Sequence, residues 1–297
     1  MYNIIGNKYI FLGISGLLII AAVVAIATFG YKEGIDFLGG TSWQIKFAKQ
    51  TSGDAVQEAL TKEFKLTEIA ALPEPTTHSI ILRLPELTEG LHQQYRQVLE
   101  KNFGSLEELN YETIGPAIGS ELRRKAIYAF LGVIIGISLY IAFAFRKVSR
   151  PVSSWNYGFI TLLTLFHDAI IPLGLFAYLG HYYGAEVNTN FIVAILVVMG
   201  FSVHDTIVVF DRIRENIRIE KSSSFDFAPL VNKSVNETMI RSINTSLTLV
   251  LVLLALLIFG SANLMYFVLT ILLGVVVGTY SSIFVASPLL VLWNRNK

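Results

Sequence analysis

At 297 residues the chain is 53% hydrophobic and only 15% charged, against about a quarter charged in an ordinary soluble domain, so a wholly soluble globule is excluded and lipid is the implied solvent. The formal net charge of +1 lacks the basic excess that a nucleic-acid-binding domain carries. The absence of cysteine excludes disulfides, thiolate metal sites and cysteine nucleophiles.

Apolar runs of about 20 residues can cross a bilayer, and six are legible in chain order: Tyr9 to Phe29, Ala126 to Phe145, Tyr157 to Leu179, Asn190 to about Phe210, Met239 to Phe259, and Leu264 to Leu292. The last is long enough to tilt or to extend beyond the membrane. Ala25-Ile-Ala27 loosely resembles a signal-peptidase site, but the first apolar run exceeds a signal h-region, so it reads as an uncleaved anchor. Arg146, Lys147 and Arg150 follow the second run. Arg212, Arg214, Arg218, Lys221 and Lys233 lie between the fourth and fifth, and Arg295 and Lys297 end the chain. The remaining short connections, Gly180 to Val187 and Gly260 to Asn263, carry no Lys or Arg. The positive-inside bias therefore predicts both termini in the cytoplasm and the long segment between the first two runs on the opposite face.

That segment is polar and alternating, with Pro73, Pro75 and Pro85 as breakers. Strands are predicted over Thr41–Phe47, Leu66–Leu72, Ser79–Leu84 and Leu106–Thr113. Helices are predicted over Asp54–Phe64, from the spacing of Val56, Leu60 and Phe64, and across Leu87, Leu91, Tyr95, Val98 and Leu99. The order βαββαβ predicts a ferredoxin-like sheet with two helices on one face. The organisation expected is thus residues 1–30 as cytoplasmic end and first span, 31–125 as a periplasmic α+β domain, and 126–297 as spans two to six. No ligand spacing surrounds His78 or His92, and Glu107 and Glu108 read as a solvated surface. A binding or mechanical module fits the insert better than a catalytic one.

An ionised carboxylate near the centre of a span costs about 2.5–3.5 kcal/mol on insertion scales, so such groups face a protein interior or a wet cavity. Asp205 lies six residues before Asp211 at the charged cytoplasmic end, about 9 Å along a helix axis. Asp168, after His167, has eleven residues of its run on either side. Each is either a neutral acid that glues helices together or a titrating group under the control of a movable cation. Arg241, at the start of the fifth run, either snorkels to the interface or reaches inward to Asp205. His204 points about 100° away from Asp205 around the helix, as a packing histidine or a second titrating group. Hydroxyls near Asp205, such as Ser202 and Thr206, suit either H⁺ or Na⁺. Gly132/Gly136 and Gly274/Gly278 are G-x-x-x-G spacings, expected to let helices approach closely. Asp211-Arg-Ile-Arg-Glu-Asn216 reads as a solvated helix exit with intrahelical ion pairs. Phe225, Phe227 and Leu230 read as a segment on the membrane surface.

Five strings, in order, resemble the SecD/SecF family of the bacterial protein translocase, on its SecF side: Gly34-Ile-Asp-Phe-Leu-Gly-Gly-Thr41, Gly115-Pro-Ala-Ile-Gly-Ser-Glu-Leu-Arg-Arg-Lys-Ala126, Asp205-Thr-Ile-Val-Val-Phe-Asp-Arg-Ile-Arg-Glu-Asn216, Arg241-Ser-Ile-Asn-Thr-Ser246, and Gly278-Thr-Tyr-Ser-Ser-Ile-Phe-Val-Ala-Ser-Pro288. The resemblance implies a polytopic α-helical membrane protein of six spans, half of an RND-type bundle, set in the inner membrane. It implies a non-enzymatic subunit that pairs with SecD, joins SecYEG with YajC, contacts the translocating preprotein and membrane lipids, and draws on the proton-motive force. No cofactor and no nucleic acid are expected. Position by position, Asp205 matches the family's intramembrane carboxylate and Arg241 its basic partner. His204 departs from the family pattern, which has Asn there, and Asp168 joins the candidate proton-coupling set. An RND-type exporter of small molecules or lipids is the alternative; an intramembrane protease built on Asp168 and Asp205 lacks the flanking patterns such enzymes need.

Overall fold

The structure, a computed structural model, describes residues 2–49, 51–64, 69–74, 77–145, 152–220, 226–261 and 264–294. Two compact units make up the chain: Met1–Lys32 with Ala129–Lys297, and Glu33–Tyr128. Lys221, Phe225, Arg146, Lys147, Arg150, Arg295, Lys297 and the start of the strand expected at Leu66 lie outside the described residues.

The Glu33–Tyr128 unit runs through α2 (Ile35–Leu38), β1 (Gly40–Phe47), α3 (Gly53–Phe64), β2 (Ala70–Glu74), β3 (Ser79–Leu84), α4 (Glu89–Phe103) and β4 (Leu106–Ile114). The strands form an antiparallel sheet in the order β2-β3-β1-β4. Alternation puts Trp43, Ile45 and Phe47 of β1 beside Ile80, Leu82 and Leu84 of β3 in one core with Val56 and Leu60 of α3 and Tyr95 and Leu99 of α4. Period two in the strands and a helical period in α3 and α4 thus supply the two sides of one apolar layer. Thr88 caps α4 by accepting from Leu91 N. The pairing of β1 with β4 shifts register between Gln44 and Ile45.

Two of the five strings meet in this unit. Gly39 and Gly40 have φ of 79° and 113°, which side chains other than glycine rarely adopt. A Cβ on Gly39 would lie 2.8 Å from Pro116 Cα, and one on Gly119 would lie 2.9 Å from Gly39 N. Thr41, next in the chain, is buried; its hydroxyl lies 3.0 Å from that of Thr113 and accepts from Leu87 N at 3.1 Å. Gly39, Gly40 and Gly119 of the Gly34–Thr41 and Gly115–Ala126 strings are thereby accounted for as close backbone packing.

The other unit contains α1 (Lys8–Phe29), the greater part of α5 (Pro116–Phe145), α6 (Ser154–Tyr183), α7 (Thr189–Ile219), α8 (Phe227–Phe259), α9 (Met265–Ser281), a π turn (Ser282–Ala286) and α10 (Ser287–Asn294). Among the described residues, six helices are long and apolar enough to cross a membrane, with α9, the π turn and α10 counting as one. Half or more of the apolar stretch is buried in α6, α7 and the α9–α10 helix, but under a fifth of it in α1, α5 and α8. Three inner helices therefore carry the core and three outer ones present apolar side chains outward, as lipid requires.

The helices begin earlier than their apolar runs: α5 at Pro116 and α8 at Phe227. Phe227 and Leu230 accordingly do not form a separate surface segment; they pack in the first turn of α8 against the main core. Ahead of α1, Ile4 and Ile5 are buried, and Asn232 of α8 clamps their backbone, accepting from Ile4 N at 2.9 Å and Ile5 N at 3.1 Å while donating to Tyr2 O at 3.0 Å. The glycine spacings divide. Gly132 and Gly136 have open space where a Cβ would stand, so they pack against nothing described. Gly274 and Gly278 do meet α7, at Val198 and Ser202. A close approach to backbone lies elsewhere, where Gly174 of α6 rests on Ala22 in α1.

Candidate functional site in the helical bundle

Asp168 is fully buried on α6, and three groups converge on its carboxylate. His167 Nδ1 lies 2.7 Å from Oδ1, donating when the ring proton is there. Ser202 of α7 donates to Oδ2, and Ser281 at the end of α9 donates to the same oxygen at 2.6 Å. Pro172, four residues on in α6, has no N–H, so the Asp168 carbonyl receives no helical bond from it. Nε2 of His167 is buried without a partner among the described residues.

Asp205 is buried on α7, one helical turn beyond Ser202. Ser282, the first residue of the π turn, donates to its Oδ2 at 2.5 Å. Ser242 of α8 lies close enough to act on this carboxyl but outside hydrogen-bonding geometry, and its hydroxyl is buried without a partner among the described residues. Consecutive serines of one helix thus reach two carboxylates on two others. The approach of α9 to α7 is tightest at Gly274, where a Cβ would overlap the Val198 side chain, while one on Gly278 would be in ordinary contact with Ser202 at 3.4 Å. A π turn adds a residue to the helical repeat and recurs at functional sites; here it begins at the second serine.

Of the four residues expected from sequence, Asp168 and Asp205 are each brought to a serine of the same helix, whereas Arg241 and His204 are not. Arg241 is exposed on α8, and no ion pair joins it to Asp205 among the described residues. The reason is angular: Ser242 takes the inward position, and one residue is about 100° of turn, which leaves Arg241 outside. The expected Asp205–Arg241 contact is therefore absent from this arrangement. His204 is likewise exposed on α7. Of the hydroxyls expected near Asp205, Ser202 bonds Asp168 instead and Thr206 Oγ1 has no partner among the described residues. Ser281 and Ser282 complete the site, and their one signal in the sequence is their place in the last of the five strings.

At its carboxyl end α7 is more than a solvated exit. Intrahelical pairs form as expected between Arg212 and Glu215 at 2.7 Å and between Arg214 and Asp211 at 3.2 Å. Arg212 also reaches Glu237 of α8 at 2.7 Å, and Asn216 Nδ2 donates to Glu237 at 2.8 Å and to Ser234 at 2.9 Å. The string tethers α7 to α8 directly below Asp205 and Ser242.

Comparison with known proteins agrees with this architecture. A family model described as "Protein export membrane protein SecD/SecF, C-terminal" matches residues 94–296. The protein translocase subunit SecF of Thermobaculum terrenum is 42% identical, with 99% of this chain and 95% of that protein aligned. The SecF subunit of Anaerolinea thermophila is 35% identical over 100% of this chain and 96% of its own length. The crystal structure of SecDF, a translocon-associated membrane protein from Thermus thermophilus, superposes with a TM-score of 0.84 at 33% identity, covering 100% of this chain and 39% of the longer one. This chain therefore spans well under half of SecDF but nearly all of the SecF subunits it matches. It belongs to the SecD/SecF family of protein export membrane proteins.

Proposed function

We propose that this accessory subunit of the Sec protein translocase couples the proton-motive force to protein export through Asp205. The observation that carries the reading is the buried Asp205 carboxyl, held among the described residues by one serine hydrogen bond, at 2.5 Å, at the meeting of three helices. A carboxyl so sparsely satisfied can take up and release a proton with little rearrangement of its neighbours. A potential of 100 mV is worth about 2.3 kcal/mol per charge moved, enough to bias a bundle between two packings. Asp168, with three converging groups, is the better satisfied acid and holds the inner helices around the site.

The chain works as one half of a bundle with SecD, joined to SecYEG and YajC, with both termini in the cytoplasm and residues 31–125 in the periplasm beside the translocating preprotein. Exposed Arg241 supports a partner half, because a cationic side chain left to hydrocarbon costs about 2.5–3.5 kcal/mol, and exposed His204 on α7 adds a second polar group in need of cover. Arg241 serves as the basic counterpart of Asp205 when α8 turns, since Ser242 beside it already faces that carboxyl. The family match to protein translocase subunits along the whole chain sets aside the small-molecule exporter. Vesicles containing the chain with SecD and SecYEG test the proposal under imposed proton or sodium gradients. Asp205→Asn is expected to abolish the gradient-driven part of export. Undiminished gradient-driven export by that variant would refute it, and a response to sodium alone would reassign the ion.

A further inference from the structure

Ser281 and Ser282 each have one hydroxyl proton and two acceptors within reach. Ser281 Oγ lies 2.6 Å from Asp168 Oδ2 and 3.0 Å from the Gly278 carbonyl. Ser282 Oγ lies 2.5 Å from Asp205 Oδ2 and 3.0 Å from the Thr279 carbonyl. A hydroxyl can donate to only one acceptor in a linear bond, so in each pair the proton must choose. What decides the choice is the partner's protonation. An ionised carboxylate only accepts, so the serine donates to it. A protonated carboxyl can donate its own O–H to Oγ, and the serine proton then turns back to the helix carbonyl.

The two serines are not equivalent. Asp168 Oδ2 also accepts from Ser202, and Oδ1 faces His167, so Ser281 is one of several ties to a well-satisfied group. Asp205 has Ser282 as its sole hydrogen-bond partner among the described residues. Ser282 also opens the π turn, and its own carbonyl accepts from the Ser287 hydroxyl at 3.2 Å. A change at the Ser282 hydroxyl therefore reaches the Thr279 carbonyl before the turn, while the Ser282 carbonyl is tied to the helix beyond it.

We propose that Ser282 is a positioning residue whose hydroxyl reverses direction with the protonation of Asp205 and so reports it to the π turn, while Ser281 anchors that turn to Asp168. This rests on the reading of Asp205 as the proton carrier. Proton bookkeeping closes: the proton taken up stays on Asp205 Oδ2 and is donated to Ser282 Oγ, the serine proton moves to the Thr279 carbonyl side, and none is lost or consumed. No heavy atom leaves hydrogen-bonding distance, so the step needs no opening of the bundle. The charged or titratable groups near Asp205 are His204 on its own helix, Asp168 and His167 on α6, and Arg241 on the outer side of α8; α9, the π turn and α10 carry no Asp, Glu, Lys, Arg or His between Met265 and Asn294.

The test is infrared titration of the full chain in lipid nanodiscs, following the carboxylic-acid carbonyl band that Asp205→Asn deletes. Ser282→Ala is expected to move that band to the frequency of a carboxyl freed of this hydrogen bond and to displace its pH midpoint by about one unit, the scale of one hydrogen bond to a charged group. Ser282→Thr, which keeps the hydroxyl, is expected to restore both, and Ser281→Ala to leave both in place. An unchanged band in Ser282→Ala, an equal change in Ser281→Ala, or the absence of any Asp205 band would each overturn the proposal. Because the readout needs neither partner nor substrate, it stands apart from the export assay: normal export in Asp205→Asn would refute the proton-carrier role without altering the spectra.

Discussion

Replacing Gly174 by alanine asks whether the seam between α1 and α6 is as close as it stands. A Cβ there would come inside 3.0 Å of both Cα and Cβ of Ala22 and 2.9 Å from its carbonyl oxygen, whereas non-bonded carbons settle at about 3.5–4.0 Å. Two of these three atoms belong to the backbone, so no rotamer change relieves the contact, and the helices must part by on the order of 1 Å. Overpacking of this kind costs about 1–3 kcal/mol. Alanine's helix preference over glycine returns about 1 kcal/mol, leaving a net loss of up to about 2 kcal/mol. Gly132→Ala is the control: with open space at its Cβ it keeps only the preference, and the two variants should shift with opposite signs. Unfolding midpoints of the full chain in mild detergent, followed by circular dichroism with increasing sodium dodecyl sulfate, would read the difference. Ala22→Gly should rescue Gly174→Ala only in part, because it removes one Cβ and leaves the backbone atoms. Should Gly174→Ala unfold at or above the wild-type midpoint, the close approach of α1 and α6 would be wrong.

Other expectations concern the Glu33–Tyr128 unit and the amino-terminal segment. Trp43 is fully buried, edge-on to His92 at 4.7 Å, and Trp43→Ala should cost about 3–5 kcal/mol, seen as rapid proteolysis within residues 33–128 while the helical bundle stays protected. Trp43→Phe should be much milder, since the indole N–H has no partner among the described residues. Asn232→Ala removes three hydrogen bonds to residues 2–5, each worth about 1 kcal/mol; amide exchange at Ile4 and Ile5 should quicken, and unchanged exchange would contradict the clamp. Burial, and then the nearby Glu89 and Glu108, push the Tyr111 phenol above its ordinary value of 10.0. The folded state thus holds this proton more tightly than the unfolded one, and the stability it contributes is full below about pH 10 and lost as pH rises toward the folded value. Tyr111→Phe should flatten that alkaline decline in the thermal midpoint of the unit.

What could be read from sequence follows from which interactions are local. Six apolar runs became six long helices because in hydrocarbon the backbone must satisfy itself within each segment, and Val56 and Leu60 found the core because a helical period is visible in a dozen residues. Where apolarity and helix part company the reading fell short: Phe227 to Thr238 continues α8 as a mixed polar stretch and showed no span signal. The two carboxylates were legible as costly residues in apolar surroundings. Their partners were not, since Ser202, Ser282 and Ser281 stand 34, 77 and 113 residues away from the acids they bond, and serine in an apolar helix is unremarkable by type. Arg241 shows the converse. Its charge drew attention, but which of two adjacent residues turns inward is decided by packing of α8, and that place went to Ser242.

The π turn also changes how the last helix must be counted. From Met265 to Ser281 the residues keep one helical register, and five residues later, from Ser287 to Asn294, they keep another. A wheel drawn across both segments as one continuous α-helix would misplace every side chain beyond Ala286. A one-residue deletion between Ser282 and Ala286 would remove the residue that the turn absorbs, and the plain α-helix left behind would keep buried Leu290 and Val291 toward the core and exposed Trp293 away from it. The same deletion in the regular helix on either side would instead swing every later residue by about 100°. The turn is thus the one place in this helix where losing a residue conserves the facing of all that follow.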